Sequence, residues 1–92
     1  MIKIKFYSLL RWELKCSELD IDATGISIRE VINEAEKKIG KKIFHLITDA
    51  EAKLSRGTII LINGRNIVHL QEFATIVRSD DLISIFPPGG GG

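Results

Sequence analysis

Ser27-Ile28-Arg29-Glu30-Val31-Ile32-Asn33-Glu34-Ala35-Glu36-Lys37-Lys38-Ile39-Gly40 is the stretch that declares its own secondary structure. Ser27 and Glu30 have the S-x-x-E spacing of a capping box: the serine hydroxyl accepts from the third helical N–H, and the glutamate reaches back to the cap's own N–H. Behind them Ile28, Val31, Ile32, Ala35 and Ile39 recur at helical spacing, and Gly40 suits a left-handed stop. The spacing predicts a helix over 27–39 with one apolar face. Lys37, Lys38, Lys41 and Lys42 crowd its C-terminal end, where cations oppose the negative end of the helix dipole. They read as a solvated helix end rather than a nucleic-acid patch.

The flanking sequence changes period. Ile2, Ile4 and Phe6 alternate with Lys3, Lys5 and Tyr7, as in a half-buried strand. Leu19, Ile21 and Ala23 repeat the alternation, so residues 8–17 are expected to be the long loop of a hairpin. Downstream, 43–56 shows no sustained period and is open between short helix and loop. Thr58 to Ile62 reads as a buried strand, Asn63-Gly64 as a tight turn, and Ile67 and Val68 as an antiparallel return. Leu70 and Phe73 read as anchors of a short irregular turn. Leu82-Ile83-Ser84-Ile85-Phe86 is a last strand that stops at Pro87, because proline cannot donate to a ladder. The order predicts an α+β fold, a sheet crossed by one main helix.

At 92 residues there is room for one domain, expected over 1–88, with 89–92 a glycine tail. The 13 Lys and Arg against 12 Asp and Glu leave a net charge of +1, which gives nucleic acid or an anionic membrane no field to follow. The longest apolar run, Ile59 to Ile62, is far short of a membrane span of ~20 residues. The first residues alternate instead of showing a basic stretch followed by an apolar block, so no signal peptide is expected. The single cysteine cannot form an internal disulfide, and a cytoplasmic protein is the expectation.

Half of the 8 glycines lie at Gly89, Gly90, Gly91 and Gly92. From Pro87 to Gly92 the chain can reach about 20 Å. Pro87-Pro88 stiffens the exit from the sheet, while glycines are slim and flexible. Such a segment can thread a channel too narrow for side chains and present a carboxylate inside a partner. A frayed end is the plainer reading of composition alone.

Asp81-Leu82-Ile83-Ser84-Ile85-Phe86-Pro87-Pro88, four residues ending in Gly91-Gly92, Ile62-Asn63-Gly64-Arg65, and Phe6-Tyr7 followed by Arg11 together resemble the small subunit of molybdopterin synthase. More broadly they resemble the ubiquitin-like β-grasp sulfur carriers, which include the thiamine sulfur carrier and the archaeal ubiquitin-like modifiers. The likeness spans the chain and is weakest over 41–57. Asp80 stands where the family usually has glycine, and Gly89-Gly90 replace larger residues. The first departure needs a turn that aspartate tolerates.

The resemblance implies a mixed β-grasp sheet and a carrier that is not itself an enzyme. A terminal carboxyl, with a reference pKa of ~3.3–3.7, is ionised and a poor electrophile. In the family a ubiquitin-activating-type enzyme uses ATP and Mg²⁺ to adenylate the terminal glycine, here Gly92. A sulfur donor protein then displaces the nucleotide and leaves a thiocarboxylate. In the molybdopterin branch the tail, here Pro87 to Gly92, inserts into the large subunit and gives sulfur to a pyranopterin precursor. The family's partner-binding patch matches Tyr7, Phe86 and Ile67, and Arg11 matches a basic position facing a partner's carboxylate. No stably bound cofactor and no metal are implied.

The remaining residues have plain readings. Cys16 lacks a neighbouring histidine or a CxxC partner and reads as structural. His45 and His69 stand apart, without ligand spacing. Trp12 is expected to pack, since base stacking needs a basic groove around it. The glycine run lacks the Lys-Ser/Thr of a phosphate loop, and Ser27 is explained by its cap. Three functions stay open: a sulfur carrier, a ubiquitin-like modifier joined through Gly92 to lysines, and a passive interaction module with an inert tail.

Overall fold

The computed structural model describes residues 1–88, so the expectations placed on Gly89, Gly90, Gly91 and Gly92 lie outside the described residues. Strand β1 (Ile2–Phe6) leads into helix α1 (Ser8–Leu14) and strand β2 (Glu18–Ile21). A short β3 (Ile26–Ser27) precedes helix α2 (Ile28–Ile39), and α3 (Phe44–Ile47) is a single turn. Strands β4 (Ile59–Ile62), β5 (Arg65–Asn66), β6 (Ile76–Val77) and β7 (Leu82–Phe86) complete the chain. The main sheet has 5 strands in the order β2-β1-β7-β4-β5, and β3 pairs with β6 in a separate ribbon.

The sheet is mixed: β1 and β7 run parallel at its centre, and the other pairs are antiparallel. Register sorts the side chains. Ile4 lies opposite Ile83 and Phe6 opposite Ile85, and all four are at most 2% exposed. They share one core with Ile28, Val31, Ile32 and Ala35 of α2. The capping box forms as the spacing predicts: Ser27 Oγ accepts from the Glu30 N–H, and Glu30 Oε1 accepts from the Ser27 N–H, both at 3.1 Å. Gly40 closes the helix at φ 79°. Burying Ile28, Val31 and Ile32 contributes about 1.5–3 kcal/mol each, against ~1 kcal/mol for a cap. Packing therefore decides that α2 docks, and the cap decides where it begins.

Two expectations need correction, and one open reading is resolved. Residues 8–17 are not a plain hairpin loop, because α1 folds there on Leu10 and Leu14, one turn apart and both 2% exposed. The return after Asn63-Gly64 is only Arg65–Asn66. Asn66 Oδ1 accepts from the Val68 N–H at 3.0 Å, which diverts the chain into a 3₁₀ turn at Ile67–His69 and ends the ladder. Residues 43–56 contain α3, followed by an isolated bridge between Thr48 and Leu54.

The turn expectations hold. Asn63 and Gly64 both take positive φ, at 50° and 84°, and Asp80 takes 74° where the resembled family has glycine. Asp81 accepts from Asn63 Nδ2 and from the Arg78 N–H, and Asn63 Oδ1 accepts from the Leu82 N–H. The hairpin turn is thus tied to the start of β7. Among the described residues no helix is long and apolar enough to cross a membrane.

Candidate functional site at the tail exit

Parallel pairing of β1 with β7 brings both strand ends to one end of the sheet. The Tyr7 N–H donates to the Ile85 carbonyl at 3.1 Å, so Tyr7 stands beside the end of β7. Its ring stacks on Phe86 with centroids 4.3 Å apart and planes 13° from parallel. Both rings are half-buried, on the face opposite the core. Tyr7 and Phe86 therefore meet where the outward parity of their strands predicts. Each ring covers much of the other, so the pair is one rigid aromatic step directly before Pro87.

Two neighbours were missed. Antiparallel pairing sets Ile59 opposite Phe86 and Leu61 opposite Ser84, on the same outer face. Ile59 is 42% exposed. The available signal was the unbroken run Ile59 to Ile62: a strand apolar on both faces has something to bury on both. On the far side the patch meets charge. Lys3 Nζ lies 3.0 Å from Glu18 and 3.7 Å from Asp20 across β1 and β2. The hydrogen bond to Glu18 and the charge of Asp20 raise the Lys3 pKa, and the same hydrogen bond lowers that of Glu18. All three groups are well exposed, so the pairs mark the polar border of the patch and add little stability.

Ile67 is not part of this surface. It is fully buried in the core, and its neighbour Val68 is the exposed residue at 46%. The 3₁₀ turn explains the swap, since it breaks the strand parity that would have turned Ile67 outward. Arg11 is exposed on α1, bordering a cleft with Trp12, Lys15 and Cys16. Trp12 does not pack into the protein as expected: it is 76% exposed. Leu10 and Leu14 take the inward face of α1, which turns Leu9 and Trp12 outward.

Cys16 is half-buried against the core, and its thiol donates to the Glu18 carbonyl at 3.3 Å. His45 and His69 are exposed, and among the described residues no three His, Cys, Asp or Glu side chains cluster to hold a metal.

A second surface lies on the α1 side of the exit. Leu9, Leu10, Trp12, Glu13, Leu46, Pro87 and Pro88 line an open groove of about 520 Å³. Leu46 reaches it because α3 is fastened to α2: Glu36 Oε2 accepts from the N–H groups of Ile43 and Phe44 at 2.8 and 2.9 Å. Burial pushes the Glu36 pKa up, but these two hydrogen bonds, with Lys42 and Arg29 nearby, outweigh it and hold the carboxyl below its ordinary value. Arg29 lies over the Phe44 ring at 3.7 Å, and Phe44 meets Phe73 edge-on at 5.1 Å.

Known proteins resemble this chain in sequence and in fold. The chain is 36% identical over 74 residues to small archaeal modifier protein 3 of Haloferax volcanii, covering 80% of this chain and 75% of that protein. It is 33% identical over 75 residues to an Archaeoglobus fulgidus protein named "Putative sulfur carrier protein", covering 82% and 84%. The solution structure of small archaeal modifier protein 1 from Methanosarcina acetivorans superposes with a TM-score of 0.74 at 29% identity, over 99% of this chain and 95% of that one. The fold is thus the ubiquitin-like β-grasp. The ThiS family profile matches residues 4–92, and the chain belongs to that family of small sulfur carriers and ubiquitin-like modifiers.

Proposed function

We propose that this protein carries sulfur as a thiocarboxylate on Gly92. The observation that carries the reading is the convergence at one end of the sheet of the Tyr7–Phe86 step, Ile59 and the Pro87-Pro88 exit, within family membership. A domain that delivers its end into another enzyme needs a surface beside that end, and here the surface and the exit are one place.

The chemistry starts from an unreactive carboxylate. A ubiquitin-activating-type enzyme with ATP and Mg²⁺ joins the Gly92 carboxylate to the α-phosphate of ATP and releases pyrophosphate. A sulfur donor protein's persulfide attacks the acyl carbon and AMP leaves; reductive cleavage of the resulting acyl disulfide by a thiol yields the thiocarboxylate. Its sulfur is a softer and better nucleophile than carboxylate oxygen. Phe86-Pro87-Pro88 favours a pyranopterin precursor as acceptor, with a molybdopterin synthase large subunit receiving the tail. The chain itself performs no bond-making step and holds no cofactor in this scheme.

A second reading has its own support. The Haloferax volcanii relative is named as a modifier, and an activated Gly92 attacked by a lysine amine gives an isopeptide bond instead of a thiocarboxylate. Intact mass of protein isolated rapidly from its own cells, with fragmentation of the C-terminal peptide, separates the two. Sulfur in place of one oxygen on Gly92 is the expected result. Lysine-linked Gly92 with no sulfur selects the modifier reading, and neither species overturns both. Deleting Gly92 is expected to abolish activation and leave the thermal midpoint unchanged.

A further inference from the structure

No described residue fills the groove on the α1 side of the exit, yet its walls come from three separate parts of the sequence. α1 supplies Leu9 and Trp12, α3 supplies Leu46, and the residues leaving β7 supply Pro87 and Pro88. Leu9 is 63% and Trp12 76% exposed, the two most exposed large apolar side chains among the described residues. Tryptophan is costly to leave in water and is enriched among residues that dominate binding energy. Nothing in the fold requires Trp12, because Leu10 and Leu14 already hold α1 to the core.

The position of the groove selects its occupant. Gly92 lies four residues beyond Pro88, a reach of about 14 Å at full extension. A protein interface of ordinary size covers roughly 800 Å² on each partner. An enzyme that brings its reacting atoms to the Gly92 carboxyl therefore works within reach of Pro87, Pro88 and the groove they help to form. Carrier and modifier chemistry diverge after activation, but both begin with it, so the activating enzyme is the partner that either reading requires. The rim adds a charge preference: Lys41 and Lys42 border a cleft that shares Glu13 and Leu46 with the groove.

We infer that the Leu9–Trp12–Leu46 groove is a docking site for the ATP-dependent enzyme that activates Gly92. It takes an apolar side chain flanked by carboxylates, with Trp12 as the anchor. This inference rests on the activation chemistry proposed above and adds a second contact surface to the Tyr7–Phe86 face.

The test uses the full chain and the ubiquitin-activating-type enzyme of the same organism, assayed by ATP–pyrophosphate exchange. Trp12→Ala and Leu9→Ser are expected to raise the KM for this protein at least tenfold each and leave kcat within twofold. Trp12 is the sole tryptophan, so chain labelled with 5-fluorotryptophan gives a single fluorine resonance. That resonance is expected to shift and broaden when the unlabelled enzyme is added without ATP. Unchanged KM in both variants, or an unmoved resonance while wild-type chain is activated, overturns the groove assignment and leaves the function intact. No exchange with wild-type chain overturns the activation reading instead. Normal activation with impaired sulfur delivery or conjugation assigns the groove to a downstream protein, and a concentration-dependent dimer dissolved by Trp12→Ala assigns it to a second copy; either result also overturns the inference.

Discussion

Helix α2 and the pair α1 and α3 are built on opposite terms. α2 carries its own start signal, its own stop and a continuous apolar stripe, and it sits where those signals put it. α1 follows Tyr7, which gives it no side-chain cap, and its first residue, Ser8, has φ 52°. α3 has no side-chain cap from its own N-cap residue, and its first amides are satisfied by Glu36 of α2. The self-coded helix is scaffold. The two dependent helices stand at the tail exit, held there by tertiary contacts. The part of the surface that faces a partner is therefore set by packing and by one carboxylate, with little help from local propensity.

The largest effect that tests this contrast is at the anchor of α1. Leu10→Ala is expected to cost about 3 kcal/mol in urea unfolding, as for other buried leucines. Amide exchange is expected to quicken across Ser8–Leu14 more than across α2. A loss of no more than about 0.5 kcal/mol, within the range of ordinary surface changes, would mean that α1 holds its shape locally.

Glu36 is the next lever. Glu36→Ala removes the acceptor for two amides and is expected to cost about 2 kcal/mol, with faster exchange confined to Ile43 and Phe44. The effect has a definite pH dependence. The folded pKa lies below the unfolded one, so the stabilisation is complete above the ordinary glutamate value of about 4.3 and is lost as pH falls through the folded value. Wild type and Glu36→Ala should accordingly differ most near neutrality and converge in acid. A gap that stays constant down to pH about 3 would break the assignment of the shift to this carboxylate.

What the sequence made legible follows from the same contrast. The capping box, the alternation at Ile2, Ile4 and Phe6, and the Asn63-Gly64 turn are local devices whose partners lie within a few residues. Tyr7 and Phe86 were readable as outward residues because strand parity is local too. Their stacking was not, since it depends on a parallel register between strands at the two ends of the chain. Residues 8–17 concealed α1 because its inward pair, Leu10 and Leu14, needs a core to declare which face is inside. Ile67 was misplaced because Asn66, a strand residue by position, spends its side chain on capping the next turn. Trp12 was misread for a related reason: an aromatic residue in an apparent loop suggests packing until the helix shows which side it lies on.

Ser27→Ala tests the other half of the contrast. Removing the cap's acceptor is expected to cost about 1 kcal/mol, with fraying limited to the first turn of α2 and no change at Ile43 and Phe44. A loss near that of Glu36→Ala would mean that the cap contributes as much to α2 as one of the buried side chains Ile28, Val31 or Ile32.

The smallest effect on stability belongs to the residue with the largest proposed effect on binding. Trp12→Ala is expected to change unfolding free energy by no more than about 0.5 kcal/mol, because a side chain that is 76% exposed gives up little on truncation. Leu14, two residues later on the same helix, buried and outside the groove, is expected to show the reverse: a large loss of stability and, at temperatures where the variant is still folded, a KM for activation nearer to wild type than that of Trp12→Ala. The two residues then separate holding α1 in place from what α1 presents. A stability loss above 1 kcal/mol for Trp12→Ala would place the ring among the groups that fold the protein, and any loss of activation would then have an ordinary structural cause. Equal stability with a raised KM leaves only the surface of α1 to explain the defect.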